Sequence, residues 1–421
     1  MKIETSTNSG GPFRVMVVDD SAIIRGFLCR YLTEDPQIEV VTTANNGLVA
    51  LRQLEQYDVE VVILDIEMPE MNGMTALPKM MEMQPELTVV MASTLTRKNA
   101  EVSLRALQLG AVDYVPKPDT ARSVNANIDF RRELVDKVKA WAGRRRKRQG
   151  LPLPLDAGAA LGASATAATG FAKPTARTAA PGFVTVSRPT PPKPVVSSSS
   201  GDDLTSADSA KNRSNSAGIK YLKGSKYKPR VLLVGSSTGG PQALLKFFNG
   251  FNKKAPTVPI LITQHMPATF TAILADHLGQ ATGWPSFEAA DGMKLEAGSI
   301  YVAPGGLHLE AREEKGQLFA CTSDAPPENF CKPAVDPLFR SITSVYGEKV
   351  LAVILTGMGH DGLKGARELT KAGGTLYAQD EASSVVWGMP GAVATAGLCT
   401  QILPIDQLGA AVVRRLEGGI Q

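Results

Sequence analysis

Residues 231–245, VLLVGSSTGGPQALL, pass from an apolar run through a glycine-serine turn into an apolar, helix-forming run, and their reading decides the second half of the chain. One reading is a nucleotide cradle. The dinucleotide fingerprint needs G-x-G-x-x-G after a strand and an acidic residue about 20 positions on, at the end of the next strand. Here Ser237 stands where the second glycine belongs, and the next apolar run, VPILITQHMP, leads to His265 rather than to an acid. The other register is G-x-S-x-G over Gly235, Ser237 and Gly239. Small flanking residues permit a sharp strand-to-helix turn that projects the central serine from a sheet edge and leaves helix N–H groups free to stabilise an oxyanion. Ser236 is the rival serine, and the central register favours Ser237.

A serine hydroxyl needs a base to take its proton. Four histidines exist. His265 ends the next predicted strand, beside Ser237 if the two strands are neighbours across one βαβ unit. His277, in FTAILADHLG, belongs to an amphipathic helix, while His308, in VAPGGLHLE, follows a turn and stays open as a candidate. The base in turn needs an anion to fix its tautomer and stabilise its protonated form. A third apolar run, LAVILTGMGHDG, ends in a glycine-rich loop carrying Asp361. Asp336, in AVDPLFRS, competes for that role, although its neighbours suit a cap or a packing position. His360 adjoins Asp361 and reads as a solvent-facing loop residue.

Working outward, 421 residues exceed what one core usually supports, since single domains tend to stop near ~150 to 250 residues. Two folded domains are expected. The chain is 43% hydrophobic and 20% charged, with no apolar run approaching the ~20 residues that span a bilayer. The first residues, MKIETSTNSGG, lack the apolar core of a secretory signal, so a cytoplasmic protein without a transmembrane segment is expected. Cys29, Cys321, Cys331 and Cys399 lack the close pairing of a zinc or redox motif and read as reduced and structural. Charge is uneven: sixteen Lys and Arg against four Asp fall between Arg144 and Arg230, a balance of +12 in a chain whose total is +4. The remainder is therefore acidic. Residues 149–228 are rich in Ala, Pro, Ser, Thr and Gly without useful periodicity, the composition of a disordered linker. Strand and helix patterns alternate on both sides of it, which points to parallel sheets covered by helices, a doubly wound α/β class.

In the first domain the informative residues lie where apolar runs stop. FRVMVVDD ends in Asp19 and Asp20, VEVVILDIEMP contains Asp65, LTVVMASTLT reaches Ser93 and AVDYVPKP delivers Lys117. Ligands of an open parallel sheet collect at the carboxyl ends of its strands. Three carboxylates gathered there repel one another and call for a hard cation such as Mg2+. Singly, each residue has an ordinary explanation: Asp19 or Asp20 a helix cap, Lys117 a surface charge, Ser93 a turn residue. Together and in this order they resemble a response-regulator receiver domain, a (βα)5 fold, over residues 13–130. The resemblance implies that Asp65 accepts a phosphoryl group, that Asp19, Asp20, Asp65 and the backbone carbonyl of Glu67 hold Mg2+, that Lys117 pairs with the phosphoryl oxygens, and that Ser93 and Tyr114 act as the switch. Residues 131–148 read as a basic helical extension.

Residues 229–415 resemble the catalytic domain of chemotaxis protein-glutamate methylesterases of the CheB type, through GSSTGGP, QHMPATFT, YVAPGG, KPAVDPLF and LTGMGHDG. The resemblance implies a doubly wound parallel-sheet serine esterase with Ser237 as nucleophile, His265 as base and Asp361 as orienting carboxylate. Thr238 and Met358 would serve the oxyanion, with no cofactor in this domain. It implies hydrolysis of glutamyl methyl esters on methyl-accepting chemotaxis receptors, release of methanol, deamidation of receptor glutamines, a chemotaxis histidine kinase as phosphodonor and recruitment to cytoplasmic receptor arrays. It also implies that the unphosphorylated receiver covers the active site. The linker is longer than this family's usual one; ~80 flexible residues span on the order of 45 to 55 Å, so inhibition must come from the interface itself. The run RRRKR at 144–148 reads as a solvated charge cluster, with an acidic surface as its alternative partner. A DNA-binding output would need a basic helix-turn-helix after residue 230, and the acidic remainder with alternating strands and helices argues against specific nucleic-acid binding.

Overall fold

The computed structural model describes residues 10–94, 96–117, 124–154 and 219–418. In the N-terminal domain five strands alternate with five helices: β1 (Phe13–Val18), α1 (Ala22–Thr33), β2 (Ile38–Ala44), α2 (Gly47–Gln56), β3 (Val61–Asp65), α3 (Gly73–Met83), β4 (Thr88–Ser93), α4 (Arg97–Gln108), β5 (Asp113–Pro116) and α5 (Val124–Gln149). The strands pair in parallel in the order β2-β1-β3-β4-β5. Both faces of such a sheet are covered, which is why FRVMVV, VVILD and TVVMAS are nearly continuous apolar runs. Helix starts follow local chemistry: Ser21, Asn46, Asn72 and Thr96 each accept a hydrogen bond from a first-turn N–H. The cap of α1 is thus Ser21, and Asp19 and Asp20 are left at the sheet edge.

The C-terminal domain runs β6 (Val231–Ser236), α6 (Gly240–Asn249), β7 (Ile260–Gln264), α7 (Phe270–Thr282), β8 (Ser286–Glu288), β9 (Ile300–Val302), β10 (His308–Glu314), β11 (Gln317–Ser323), α8 (Val335–Tyr346), β12 (Val350–Ile354), α9 (Leu363–Lys371), β13 (Thr375–Gln379), α10 (Met389–Thr395), β14 (Gln401–Leu403) and α11 (Ile405–Leu416). Seven strands form one parallel sheet in the order β14-β13-β12-β6-β7-β9-β8. Strand β6 is its pivot, because the chain winds from it first toward β7 and later returns on its other side as β12. Its residues alternate between layers: Leu232 and Val234 pack with Phe247, Ile273 and Leu408, while Val231 and Leu233 pack with Leu338, Phe339 and Leu369. The antiparallel hairpin β10-β11 stands apart from this sheet.

The basic run at 144–148 is solvated only in part: Lys147 and Arg148 are exposed, Arg144 and Arg145 half-buried and Arg146 buried. The run lies in α5, whose inward face carries Phe130, Leu134, Val138, Trp141 and Ala142 against β1 and β3. One turn further on, Arg146 is buried and its guanidinium grips both carboxylate oxygens of the buried Glu60 at 2.6 and 2.7 Å. It also donates to the carbonyls of Gly11 and Pro12. Helical periodicity brings that arginine inward, and paired bonds satisfy the charge there. Of the expected linker over residues 149–228, positions 155–218 lie outside the described residues. Its C-terminal end is packed: Leu222 N donates to Cys399 O, and the buried Arg415 donates to the carbonyls of Ser225 and Tyr227 at 2.6 Å each.

Arg146→Ala leaves a buried carboxylate without its partner and is expected to cost about 3 to 5 kcal/mol, read by urea denaturation. Glu60 is pulled below its ordinary 4.5: burial opposes this, but bonds from Arg146 and the Arg14 amide outweigh it. Its stabilisation is therefore present above that pH and lost as pH falls below it, and Arg146→Ala should flatten this acid dependence.

Candidate active site

In the C-terminal domain the turn after β6 is Ser237, Thr238 and Gly239, followed by α6. Gly239 takes φ 73°, which favours glycine, and a Cβ there would meet Val385. Ser236 is fully buried and its hydroxyl donates to Gln264 Oε1 at 2.6 Å, which removes it as a nucleophile. Gln264 also holds the turn, donating to the carbonyls of Ser237 and His265. Ser237 is half-buried, and its hydroxyl has no hydrogen-bond partner among the described residues. The loop after β12 passes so close that a Cβ on Gly357 would lie 2.8 Å from Ser237 Cβ.

Strands β12, β6 and β7 are adjacent, so their C-terminal ends bring Asp361, Ser237 and His265 to one edge. His265 Nε2 and Asp361 Oδ2 are 2.8 Å apart. Asp361 is almost wholly buried and accepts four more hydrogen bonds, from the amides of Val335, Asp336 and Gly362 and from Asn329 Nδ2. Burial alone would raise its pKa; the bonds from His265 and the amides pull it below the usual carboxylate value. His265 moves the other way. Burial disfavours its charge, but the Cys331 sulfur and the Asp361 carboxylate outweigh that and push its pKa up to about 10.

Ser237, Thr238, His265, Met358 and Asp361 line one cavity of about 410 Å3. The backbone N–H groups of Thr238 and Met358, two of the lining residues, have no acceptor among the described residues. None of the other histidines hydrogen-bonds to Ser237 or Asp361 among the described residues. His308 is buried, with Nδ1 accepting from Ala334 N and Nε2 3.1 Å from Pro326 O, a structural role. His277 is on α7 and does not line the cavity, whereas the exposed His360 does. Asp336 accepts from Gly365 N and Asn329 Nδ2, which makes it a support of Asp361 rather than its substitute.

Two residues of the site escaped the sequence. Cys331, expected to be structural, places its sulfur 3.3 Å from His265 Nδ1. Asn329 bridges Asp336 and Asp361 at 3.0 and 2.8 Å. No periodicity marks residues 324–332, and only the position just before KPAVDP could have drawn attention to them.

The N-terminal domain forms the other wall of this cavity, through Asp113, Tyr114 and the α5 residues Arg132, Glu133 and Lys137. Tyr114 stacks on Phe270, at the start of α7, with ring centroids 4.4 Å apart and planes 10° from parallel. Asp113 Oδ2 accepts from Gly239 N at 3.4 Å, and Gln242 Nε2 donates to Ala111 O at 2.8 Å. Arg144 donates to Ser383 O.

In its own sheet that domain gathers Asp19, Asp20 and Asp65, whose ligand atoms lie within 4.8 Å of one another. Lys117 Nζ is 2.7 Å from Asp65 Oδ1 and 2.8 Å from Asp19 Oδ2. The buried Asp19 Oδ2 has no well-aligned hydrogen bond despite that ion pair, so it retains a free ligand direction. Desolvation pushes the Asp65 carboxyl up to about 6 despite Lys117. Ser93 is buried, its hydroxyl 2.9 Å from that of Ser103, while Glu67 is exposed.

The CheB methylesterase family model matches residues 232–412, and the response regulator receiver domain model matches residues 15–129. Protein-glutamate methylesterase/protein-glutamine glutaminase 1 of Rhodospirillum rubrum is 46% identical over 411 residues, 97% of each chain. The protein-glutamate methylesterase/protein-glutamine glutaminase of group 2 operon from Rhodospirillum centenum is 47% identical over 406 residues, 95% of this chain and 94% of its own. The crystal structure of the Thermotoga maritima CheB methylesterase catalytic domain is 36% identical and covers 45% of this chain and 99% of its own, with a TM-score of 0.43.

A raised histidine pKa stabilises the fold below the unfolded value of 6.5, and that contribution is lost as pH rises through about 10. Thermal midpoints of the native chain should therefore fall across this window, and Asp361→Asn should make the fall shallower.

Proposed function

This chain belongs to the protein-glutamate methylesterase/protein-glutamine glutaminase family, with a receiver domain ahead of its CheB methylesterase domain, and on that footing we propose that Ser237, His265 and Asp361 perform its hydrolysis under control of Asp65. The observation that carries the assignment is the meeting of the three at the ends of adjacent strands around one cavity, with the acid 2.8 Å from the base.

Ser237 Oγ attacks the γ-carbonyl carbon of a receptor glutamyl methyl ester while His265 takes its proton. With Nε2 committed to Asp361, Nδ1 is the nitrogen available for that proton. The amides of Thr238 and Met358 donate to the oxyanion as the tetrahedral intermediate forms. His265 then protonates the departing methoxide, methanol leaves, and a water deprotonated by His265 cleaves the acyl-serine to give glutamate. A glutamine side chain follows the same course with ammonia as leaving group. Asp361 stays ionised and keeps the ring oriented.

Control starts at Asp65, which receives the phosphoryl group from a chemotaxis histidine kinase. Asp19, Asp20, Asp65 and the Glu67 carbonyl suit Mg2+, an oxygen-seeking cation that neutralises charge on the transferring group. Lys117 pairs with the phosphoryl oxygens and Ser93 donates to one of them. Tyr114 links this event to the cavity, because the ring that completes the switch is the ring stacked on Phe270. In the unphosphorylated state the N-terminal domain covers the cavity, and phosphorylation shifts the population toward an open one. The substrates are chemoreceptors, which places the working enzyme at receptor arrays.

Methanol release from methylated receptor membranes tests the assignment. Ser237→Ala is expected to lose turnover by roughly 10^4-fold or more; native turnover would remove the serine from the mechanism. Asp65→Asn should keep basal activity and lose its response to a small phosphodonor, whereas Tyr114→Ala should raise basal activity. Added Mg2+ should raise the thermal midpoint, and Asp20→Ala should abolish that rise.

A further inference from the structure

One short loop, residues 328–333, touches both the acid and the base. Arg340 anchors its start through two guanidinium bonds to Glu328, at 3.0 and 2.5 Å. Glu328 and Cys331 exchange backbone hydrogen bonds, and between them Asn329 and Phe330 take φ of 51° and 65°. Two consecutive non-glycine residues in the left-handed region are strained, so the turn persists because its surroundings hold it. Its side chains divide three ways. Asn329 donates to Asp361, Cys331 meets His265, and Phe330, 81% exposed, carries the Arg132 guanidinium of the N-terminal domain 4.9 Å above its ring.

The imidazole has only two nitrogens. Asp361 takes Nε2, so Nδ1 alone is left for the serine proton, and the Cys331 sulfur stands 3.3 Å from that atom. Ser237 Oγ, in the same cavity, has no hydrogen bond among the described residues. We propose that Cys331 is a positioning residue that occupies the base nitrogen of His265 while the N-terminal domain is docked, keeping Ser237 unpaired from its base until the loop at 328–333 shifts. This rests on the reading of Ser237 and His265 as nucleophile and base. It adds to steric covering a second block within the catalytic residues themselves, and the contact of Arg132 with Phe330 gives the N-terminal domain a hold on it.

The electrostatics agree. The sulfur and the Asp361 carboxylate together favour a protonated ring, and a ring that already carries its second proton cannot accept one from serine. Further charged or titratable groups facing the cavity are Lys332 and His360 from the same domain, Asp113 from β5, and Arg132, Glu133, Asp136 and Lys137 from α5. All of them stay in place when only the sulfur is removed.

The test uses the full unphosphorylated chain and methylated receptor membranes. Cys331→Ala should raise basal kcat roughly fivefold, the worth of one weak hydrogen bond, move the acid limb of the pH–rate profile to lower pH, and shrink phosphodonor stimulation. Cys331→Ser retains a hydrogen-bonding atom but not the ionisable sulfur, so its basal rate and acid limb should fall between those of the native chain and Cys331→Ala. Nitrogen shifts of the His265 ring provide a measurement independent of turnover: the ring should lose its proton at lower pH in Cys331→Ala than in the native chain. An unchanged or lowered basal rate with an unmoved acid limb and ring titration overturns the proposal. Ser237→Ala, run alongside, separates the two levels: its inactivity leaves the esterase assignment standing whatever Cys331 does, and its full activity would remove both.

Discussion

Five donors converge on one carboxylate, and the geometry of the proposed site depends on that convergence. Asp361 accepts from His265, Asn329, its neighbour Gly362, and the first-turn amides of Val335 and Asp336. Helix α8 has an alanine at its N-cap, with no side-chain cap hydrogen bond. Asp361, delivered from the loop after β12, caps it from a different part of the chain, where the helix dipole also favours negative charge. The acid is therefore fixed by α8 and α8 is started by the acid. Packing α8 on the sheet and orienting His265 become one folding event, and the ring direction is set before any substrate arrives.

Around that fixed point the docked N-terminal domain packs α4 on α7 within a shared apolar cluster and adds one aromatic stack, one cation over a ring, an ion pair from Lys147 to Glu381, and hydrogen bonds from Gly239, Gln242 and Arg144. The stack, the cation contact and the hydrogen bonds contribute on the order of 1 kcal/mol each. Tyr114 and Asp113 are neighbours on β5, whose end also delivers Lys117 to Asp65. The strand that carries Lys117 to Asp65 is thus also the strand that touches the cavity.

The alternation of apolar runs with amphipathic stretches made both parallel sheets legible, and the small residues of GSSTGG marked the turn that exposes a serine. Ser237 could be preferred to Ser236 because it is the central residue of the G-x-S-x-G register, and the structure buries Ser236 against Gln264. Cys331 was not legible as a partner of His265, because a lone cysteine in an irregular segment has no pattern to read. Arg146 looked like part of a solvated charge run, since composition registers charge but not which face of a helix meets Glu60.

By itself, then, the sequence determined the class of each domain, the order of its strands along the chain, and the residues standing at strand ends, because these follow from side-chain periodicity and turn chemistry within a few residues of each position. The tertiary structure alone decided that β12 and β7 flank β6, that Nε2 rather than Nδ1 meets Asp361 across 96 residues of separation, and that a strained turn brings Asn329 and Cys331 to the acid and the base. Those outcomes depend on strand order and on loop dihedrals set by packing, and a short window of residues carries no physical record of either.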